Sequence, residues 1–439
     1  MAHRALPSDL LDPTGAAARP STPPFHGWRI AWGAMALQAT VTALFVQAYG
    51  VYAAFWMAEF GWTRTTIALL YSLQRTESGL LGPVHGWLLQ RVEPRALILT
   101  GLLLLGGGFL VLAHLHGLVP FVVCFLVMAV GASLAGILSL TTVLVNWFDR
   151  RRARVLAMLA TGLSVGGLAV PLVGAAMEAF GWRAVSVASG VLVLGIGVPL
   201  SRTMHREPEA LGQYPDGRAP DPDLGGTTSR PKATWTAPAA LRTRAFWQIS
   251  LGHAAAIAVV SAMIVHFVVY ARETFDLSVT SAASVLTLST ALTMLGQALG
   301  GWLGDRYPKR HLAGIGMLGH AAAMALLAST GRVSLVVVAV ILHGLAWGLR
   351  GPLMGAMRAD YFGRSSFAMI MGASSLVVML GSVLGPLLPG ILADTFGTYR
   401  FGFGSLAAVA IAGAAAFFTL EDPKGPRTHR NPVAQEALP

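Results

Sequence analysis

Residues 86–95 read GWLLQRVEPR, and residues 301–310 read GWLGDRYPKR; the two align without a gap at a spacing of 215. Each has Gly-Trp-Leu, an Arg five residues after the Gly, and another Arg four residues later. Only the second copy has an acid: Asp305 stands where the first copy has Gln90. The spacing recurs elsewhere. Trp147-Phe148 and Arg150 answer to Tyr361-Phe362 and Arg364, Pro171 to Pro386, Phe180-Gly181 to Phe396-Gly397, and Thr65 to Thr280. One such match could be chance. Together they mean that the 439-residue chain consists of two related halves.

The solvent of these halves is lipid. Charged residues make up 12% of the chain and hydrophobic ones 54%, whereas a soluble domain carries about 25% charged residues. Apolar runs long enough to cross a bilayer, about 20 residues each, recur twelve times: near 30–56, 65–89, 96–113, 119–147, 153–177, 183–201, 245–271, 279–304, 311–330, 333–359, 366–393 and 399–420. Their many Gly suit close helix packing in lipid. The net charge of +11 does not point to nucleic acid, because the basic residues cluster at span ends. Loops after even-numbered spans hold Arg91 and Arg95; Arg150, Arg151, Arg152 and Arg154; Arg306, Lys309 and Arg310; and Arg364. Loops after odd-numbered spans each hold at most one. The positive-inside rule makes the even loops and both termini cytoplasmic. The expected organisation is a tail at 1–27, a six-helix bundle at 28–201, a flexible linker at 202–244, a second bundle at 245–420 and a tail at 421–439. The first 27 residues lack the apolar stretch of a signal peptide. One cysteine, Cys124, excludes an internal disulfide, and no Cys/His metal spacing, cofactor motif or phosphate loop is present. Gly162-Leu163-Ser164-Val165-Gly166 matches a nucleophile elbow by letter. Inside an apolar span it reads as a packing face, and no enzyme is expected.

Twelve spans, a charged central loop and the G-x-L-x-D-R-x-x-[KR]-R pattern of 301–310 resemble the major facilitator superfamily over roughly 28–420. FHGWRI at 25, EFGWTR at 59, NWFDRRRARVLAM at 146, FGWR at 180, WGLRGP at 347 and ADYFGR at 359 resemble its monocarboxylate porter and oxalate–formate antiporter branch. The resemblance implies an all-α membrane fold of two pseudo-symmetric six-helix bundles, with the first, fourth, seventh and tenth spans around the cavity. It also implies a gate. The loop acid would sit at a helix N-terminus in the opposite half, where a carboxylate meets partial positive charge and unpaired N–H groups, worth about 0.3–1 kcal/mol. Asp305 would cap the fifth span. Gln90 brings no charge to the eleventh. The gating set is Gly86, Gln90, Arg91, Arg95, Gly301, Asp305, Arg306 and Arg310. The bland alternative is that these charges only mark topology.

Ionisable residues deep in spans are expensive, and so informative. Arg350 shares a helical stripe with His343, Trp347, Met354 and Met357. Gly344, Gly348, Gly351 and Gly355 form a second stripe for close packing, so the first is expected to face a cavity. A guanidinium beside an indole suits a carboxylate; the alternative is an Arg bound to backbone carbonyls or a buried acid. Arg75 lies on the Ser78, Gly79, Gly82 and Gly86 face of the second span, and Glu77 on the Leu73, Leu81, Val84 and Leu88 face. Burial disfavours a charged carboxyl, so Glu77 is a proton-coupling candidate, against the equally open reading of a structural acid. Gln38, Tyr49 and Tyr52 in the first span, and His266 and Tyr270 in the seventh, complete the substrate candidates. Interhelical hydrogen bonding is their bland alternative. His85, His253 and His320 read as structural. The expected activity is secondary transport of a small organic anion, a carboxylate, by a monomer in the cytoplasmic membrane, driven by proton symport or anion exchange. The alternatives are an efflux pump for amphipathic compounds and a ligand-binding membrane sensor. A sensor should carry a folded signalling appendage, which neither the termini nor the linker offers.

Overall fold

The computed structural model describes residues 24–62, 64–219, 235–277 and 279–421. The two tails expected at 1–27 and 421–439, and the middle of the linker, therefore lie largely outside the described residues. Twelve helical spans follow in order: α1 Gly27–Phe60, α2 at 64–91 (Arg64–Leu80 and Gly82–Arg91), α3 Pro94–Leu112, α4 Leu118–Trp147, α5 Arg152–Phe180, α6 Trp182–Ser201, α7 Arg244–Phe275, α8 Val279–Gly304, α9 Lys309–Ser329, α10 Val333–Phe362, α11 Phe367–Phe396 and α12 Arg400–Phe418. Among the described residues, ten are long and apolar enough by themselves to cross a membrane. Of the other two, α2 is split at Leu81, ahead of Pro83, and α8 has 26 residues, about 39 Å of helix. Backbone groups that find no water in hydrocarbon must pair within the segment, which is why every span is helical. Large apolar side chains such as Leu172, Ile264 and Ile391 point outward, as a lipid solvent allows.

The duplication read from 86–95 and 301–310 is present in the packing. α1 packs on α5 as α7 packs on α11. α3 packs on α4 and α6 as α9 packs on α10 and α12. The halves meet along two equivalent seams, α2 against α11 and α8 against α5. Gly86 and Gly301, the first residues of the two decapeptides, sit on these seams. A Cβ on Gly86 would stand 2.9 Å from the Met369 Cα, and one on Gly301 2.6 Å from the Ala157 Cβ. Neither position has room for a side chain. Each half also has its own apolar core.

The linker departs from its expected lack of structure. Arg206 donates to the carbonyls of Leu89 (3.0 Å) and Val92 (2.6 Å), and the Trp147 indole donates to His205 O. Asp216 accepts from the Asp149 and Arg150 amides. Further on, Thr236 caps a short helix, Ala237–Leu241, and Trp235 packs on Phe362. These bonds join distant segments, so periodicity within the linker carried no sign of them.

Candidate functional site

Arg350 lies in the interior of the C-terminal half. It is fully buried, and among the described residues Nε, Nη1 and Nη2 have no hydrogen-bond partner. Gly316 on α9 makes room for its stem, with the Arg350 Cβ 3.2 Å from where a Gly316 side chain would begin. The guanidinium carbon stands 5.1 Å from the Trp347 ring centroid. His343 and His320, also buried, face each other at 3.3 Å between their Nδ1 atoms, one donating and one accepting. Two turns along α10, Arg358 is buried as well. It donates to Met354 O, to Ser374 Oγ at 2.6 Å and to His253 Nδ1. None of these partners is an acid. His253 and His320, taken from sequence as structural, thus belong to one cationic and imidazole cluster that no residue spacing revealed, because its members come from α7, α9 and α10.

The stripe of His343, Arg350, Met354 and Met357 is buried, with Arg350 against Gly316 and His343 against His320 of α9. Trp347 is the exception. It is half-buried and leads, at four-residue steps, to Gly351, which has open space beside it, and to Gly355, which meets Leu156 and Thr141 of the other half. Trp347 thus contacts Arg350 from a half-buried position one turn before Gly351.

The remaining substrate candidates divide. Gln38 is buried, donates to Thr42 Oγ1, and keeps Oε1 unpartnered. Tyr49 and Tyr52 turn into the N-terminal half, packing with Trp56, Phe109 and Phe125 around a void of about 10 Å³; Tyr52 Oη lies 3.3 Å from Ser189 Oγ. His266 contacts Tyr399 Oη and Pro386 O, and Tyr270 donates to Leu327 O. Their placement is that of interhelical hydrogen-bonding groups. The side chain of Arg75 lies outside the described residues. Glu77 faces α4: Oε2 accepts from Ser133 of α4 (3.1 Å) and from its neighbour Ser78, while Oε1 is buried without a partner among the described residues.

At the end of the molecule carrying the basic loops, the halves are bonded together. Asp305 Oδ1 accepts from the Ala153 amide at 2.9 Å, at the start of α5, and Arg154 Nε lies 3.8 Å from Oδ2. Burial raises the Asp305 carboxyl above its ordinary range, with the Ala153 and Arg154 amides and the Arg154 charge pulling it back. Gln90 is exposed. Arg91 stacks on Trp87 at 4.0 Å and Arg306 on Trp302 at 4.1 Å, so the Trp-x-x-x-Arg step of both decapeptides does the same thing. Arg95 is exposed, and Arg310 donates to Leu420 O. Two further cross-half residues were missed. Asp360 pairs with Arg152 of the opposite half and with Lys309, each at 2.8 Å, and Arg364 donates to Asn146 O. The repeat held the signal: at the offset of 214 that links Arg150 to Arg364, Asp360 answers to Asn146. Both of these C-terminal-half acids that bond across to the other half are amides at the equivalent places in the N-terminal half. At mid-depth, the Gln297 amide donates to Ser164 Oγ across the α5–α8 seam. Among the described residues no cluster could hold a metal ion.

Residues 35–292 and 249–438 match the family model of the Major Facilitator Superfamily. The chain is 24% identical to Monocarboxylate transporter 13 of Bos taurus over 90% of this chain and 89% of the relative. It is 26% identical to the Membrane sensor protein UhpC of Salmonella typhimurium over 56% of this chain and 57% of the relative. In fold it is similar to the human organic anion transporter MFSD10, with a TM-score of 0.68 at 14% identity over 90% of this chain and 100% of that one. FucP in the outward conformation gives a TM-score of 0.69 at 16% identity, over 89% of this chain and 99% of that one. With twelve helices, two six-helix halves repeated in packing, and a family match that spans both, the chain belongs to the Major Facilitator Superfamily and is a multi-pass membrane transporter.

Proposed function

We propose that the chain carries a small organic anion, a carboxylate, across the cytoplasmic membrane by alternating access, with the basic end and both termini cytoplasmic. The observation that supports this reading is Arg350. A charge held in an apolar bundle without a partner is costly, and a substrate carboxylate would satisfy it through a bidentate pair. Trp347, in contact with Arg350, is the proposed gate residue of this site. The names of Monocarboxylate transporter 13 and of the organic anion transporter MFSD10 support an anionic cargo. Glu77, with one buried oxygen unpartnered, is the proposed proton carrier, which makes proton symport the favoured coupling. The contacts at the basic end, Asp305 to α5 and Asp360 to Arg152, are the proposed gate on the cytoplasmic side.

Uptake into proteoliposomes from a panel of labelled carboxylates, with and without a pH gradient, tests this. At least one carboxylate accumulates with wild type, Arg350→Lys weakens its binding, and Arg350→Ala nearly eliminates it. An Arg350→Ala protein that inserts normally and transports the anion with unchanged affinity transfers the reading to an efflux pump. Binding without transport in wild type transfers it to a sensor, the role that the name of UhpC gives that relative.

A further inference from the structure

A groove of about 520 Å³ opens on the outside of the α2–α11 seam. Its lining includes Pro83 of α2, Met369, Ala373 and Leu376 of α11, Trp247 of α7 and Leu241 of the short linker helix. The lining is almost wholly carbon. Trp247 is half-exposed, and its indole donates to Leu241 O at 3.0 Å, tying the linker helix across the start of α7. Met369 and Trp247 belong to the first turns of α11 and α7, and Pro83 lies eight residues, about 12 Å, before the end of α2. The groove is therefore in the leaflet at the basic end. Arg242 follows the lining residue Leu241, and Arg244 begins α7 three residues before the lining residue Trp247; both are exposed.

We infer that this groove holds one acyl chain of an anionic phospholipid, whose phosphate meets Arg242 and Arg244. At this depth the solvent is hydrocarbon, so an apolar recess fills with hydrocarbon rather than water. A void would leave its lining without contact atoms. The two arginines select the headgroup, since Arg at the interface attracts anionic lipid. Pro83 belongs to the N-terminal half, and the other lining residues to the C-terminal half and linker. The chain therefore bridges both halves, next to the close approach of Gly82 to Gly372. Parting α2 from α11 dismantles the groove, so the bound lipid favours the state closed at the basic end. The inference does not depend on what the cargo is.

Native mass spectrometry of the full chain, with phosphatidylglycerol or phosphatidylcholine of identical acyl chains added, tests it. Wild type retains one phosphatidylglycerol, with occupancy about tenfold above that of phosphatidylcholine at equal concentration. The Arg242→Ala/Arg244→Ala double variant binds the two lipids equally. Ala373→Trp fills the groove and retains neither. Equal retention of both lipids by wild type, or unchanged phosphatidylglycerol occupancy in the double variant, overturns the headgroup assignment. Unchanged retention in a monodisperse Ala373→Trp protein, or a dimer in place of bound lipid, overturns the groove as the site. The double variant lies on the surface and reports even if Ala373→Trp fails to fold.

Discussion

A fully buried guanidinium with no hydrogen-bond partner among the described residues makes the anion-free protein less stable than it would be without the charge. Replacing buried charges by apolar groups of similar volume is often stabilising by about 1–4 kcal/mol. Arg350→Met should therefore raise the melting temperature of the substrate-free protein and abolish any stabilisation by added carboxylates. A thermal melt with and without the transported anion checks both. In transport, loss of a charge-assisted pair at Arg350 should reduce affinity about 10- to 100-fold. Asp305 offers a second test. Burial raises its carboxyl when the basic end is closed, whereas an open, solvated Asp305 has an ordinary value. The state with the higher value gains as pH falls through the raised range, so mild acidification should favour closure. Asp305→Asn keeps the acceptor for the Ala153 amide but cannot titrate, so accessibility of a cysteine placed at the basic end should lose this pH dependence. Asp305→Ala loses the cap itself, worth about 1 kcal/mol, and should increase labelling.

The seams are properties of elements. α2 and α8 cross to the opposite half where Gly86 and Gly301 leave backbone to meet backbone or an Ala methyl. A leucine at either position cannot be accommodated without separating the helices. Gly86→Leu and Gly301→Leu should each raise cysteine labelling at the basic end, and Gly107→Leu, on a glycine with nothing within 4 Å, should leave it unchanged. The α1 stripe shows the limit of reading an element alone. Tyr49 and Tyr52 recur at helical spacing and share a face, as the sequence says. Whether that face meets a cavity or the aromatic Phe109 and Phe125 depends on the rotation of α1 within its half. A π-turn at Thr42–Val46 changes the register on that helix, and hydrophobic spacing does not announce it.

Across the whole molecule the two halves share architecture but not the acids that bond across to the other half. Asp305 and Asp360 hold the α5 side, while Gln90 and Asn146 occupy the equivalent places opposite. Arg206 of the linker supports the α2–α3 loop instead. Gln90→Asp should add an acid at the start of α11 and bias the protein toward closure at the basic end. Asp360→Asn should bias it away, because Arg152 is nearly fully buried and, among the described residues, keeps only Asp149 as an ionic partner; the shift should be about 1–3 kcal/mol. Double electron–electron resonance distances across the basic end, compared between the two variants and wild type, measure both directions. Equal distances in all three would remove the latch role from both acids.

Span number, the gathering of the basic loops at one end and the duplication were all legible in the chain, because each is a one-dimensional pattern. Lipid demands apolar runs of a set length, basic residues collect at one set of ends, and a duplicated unit repeats its letters at a constant offset. Arg350 was legible as an expense, since a charge inside an apolar run needs explaining wherever it points. The tertiary structure alone decided where it points. It gathered His253, His320, His343 and Arg358 around it from three helices, turned the tyrosines of α1 inward, and bonded Arg152 to Asp360 across 208 residues. Those outcomes depend on helix rotation, tilt and pairing between distant segments, and the spacing of residues along one helix does not contain them.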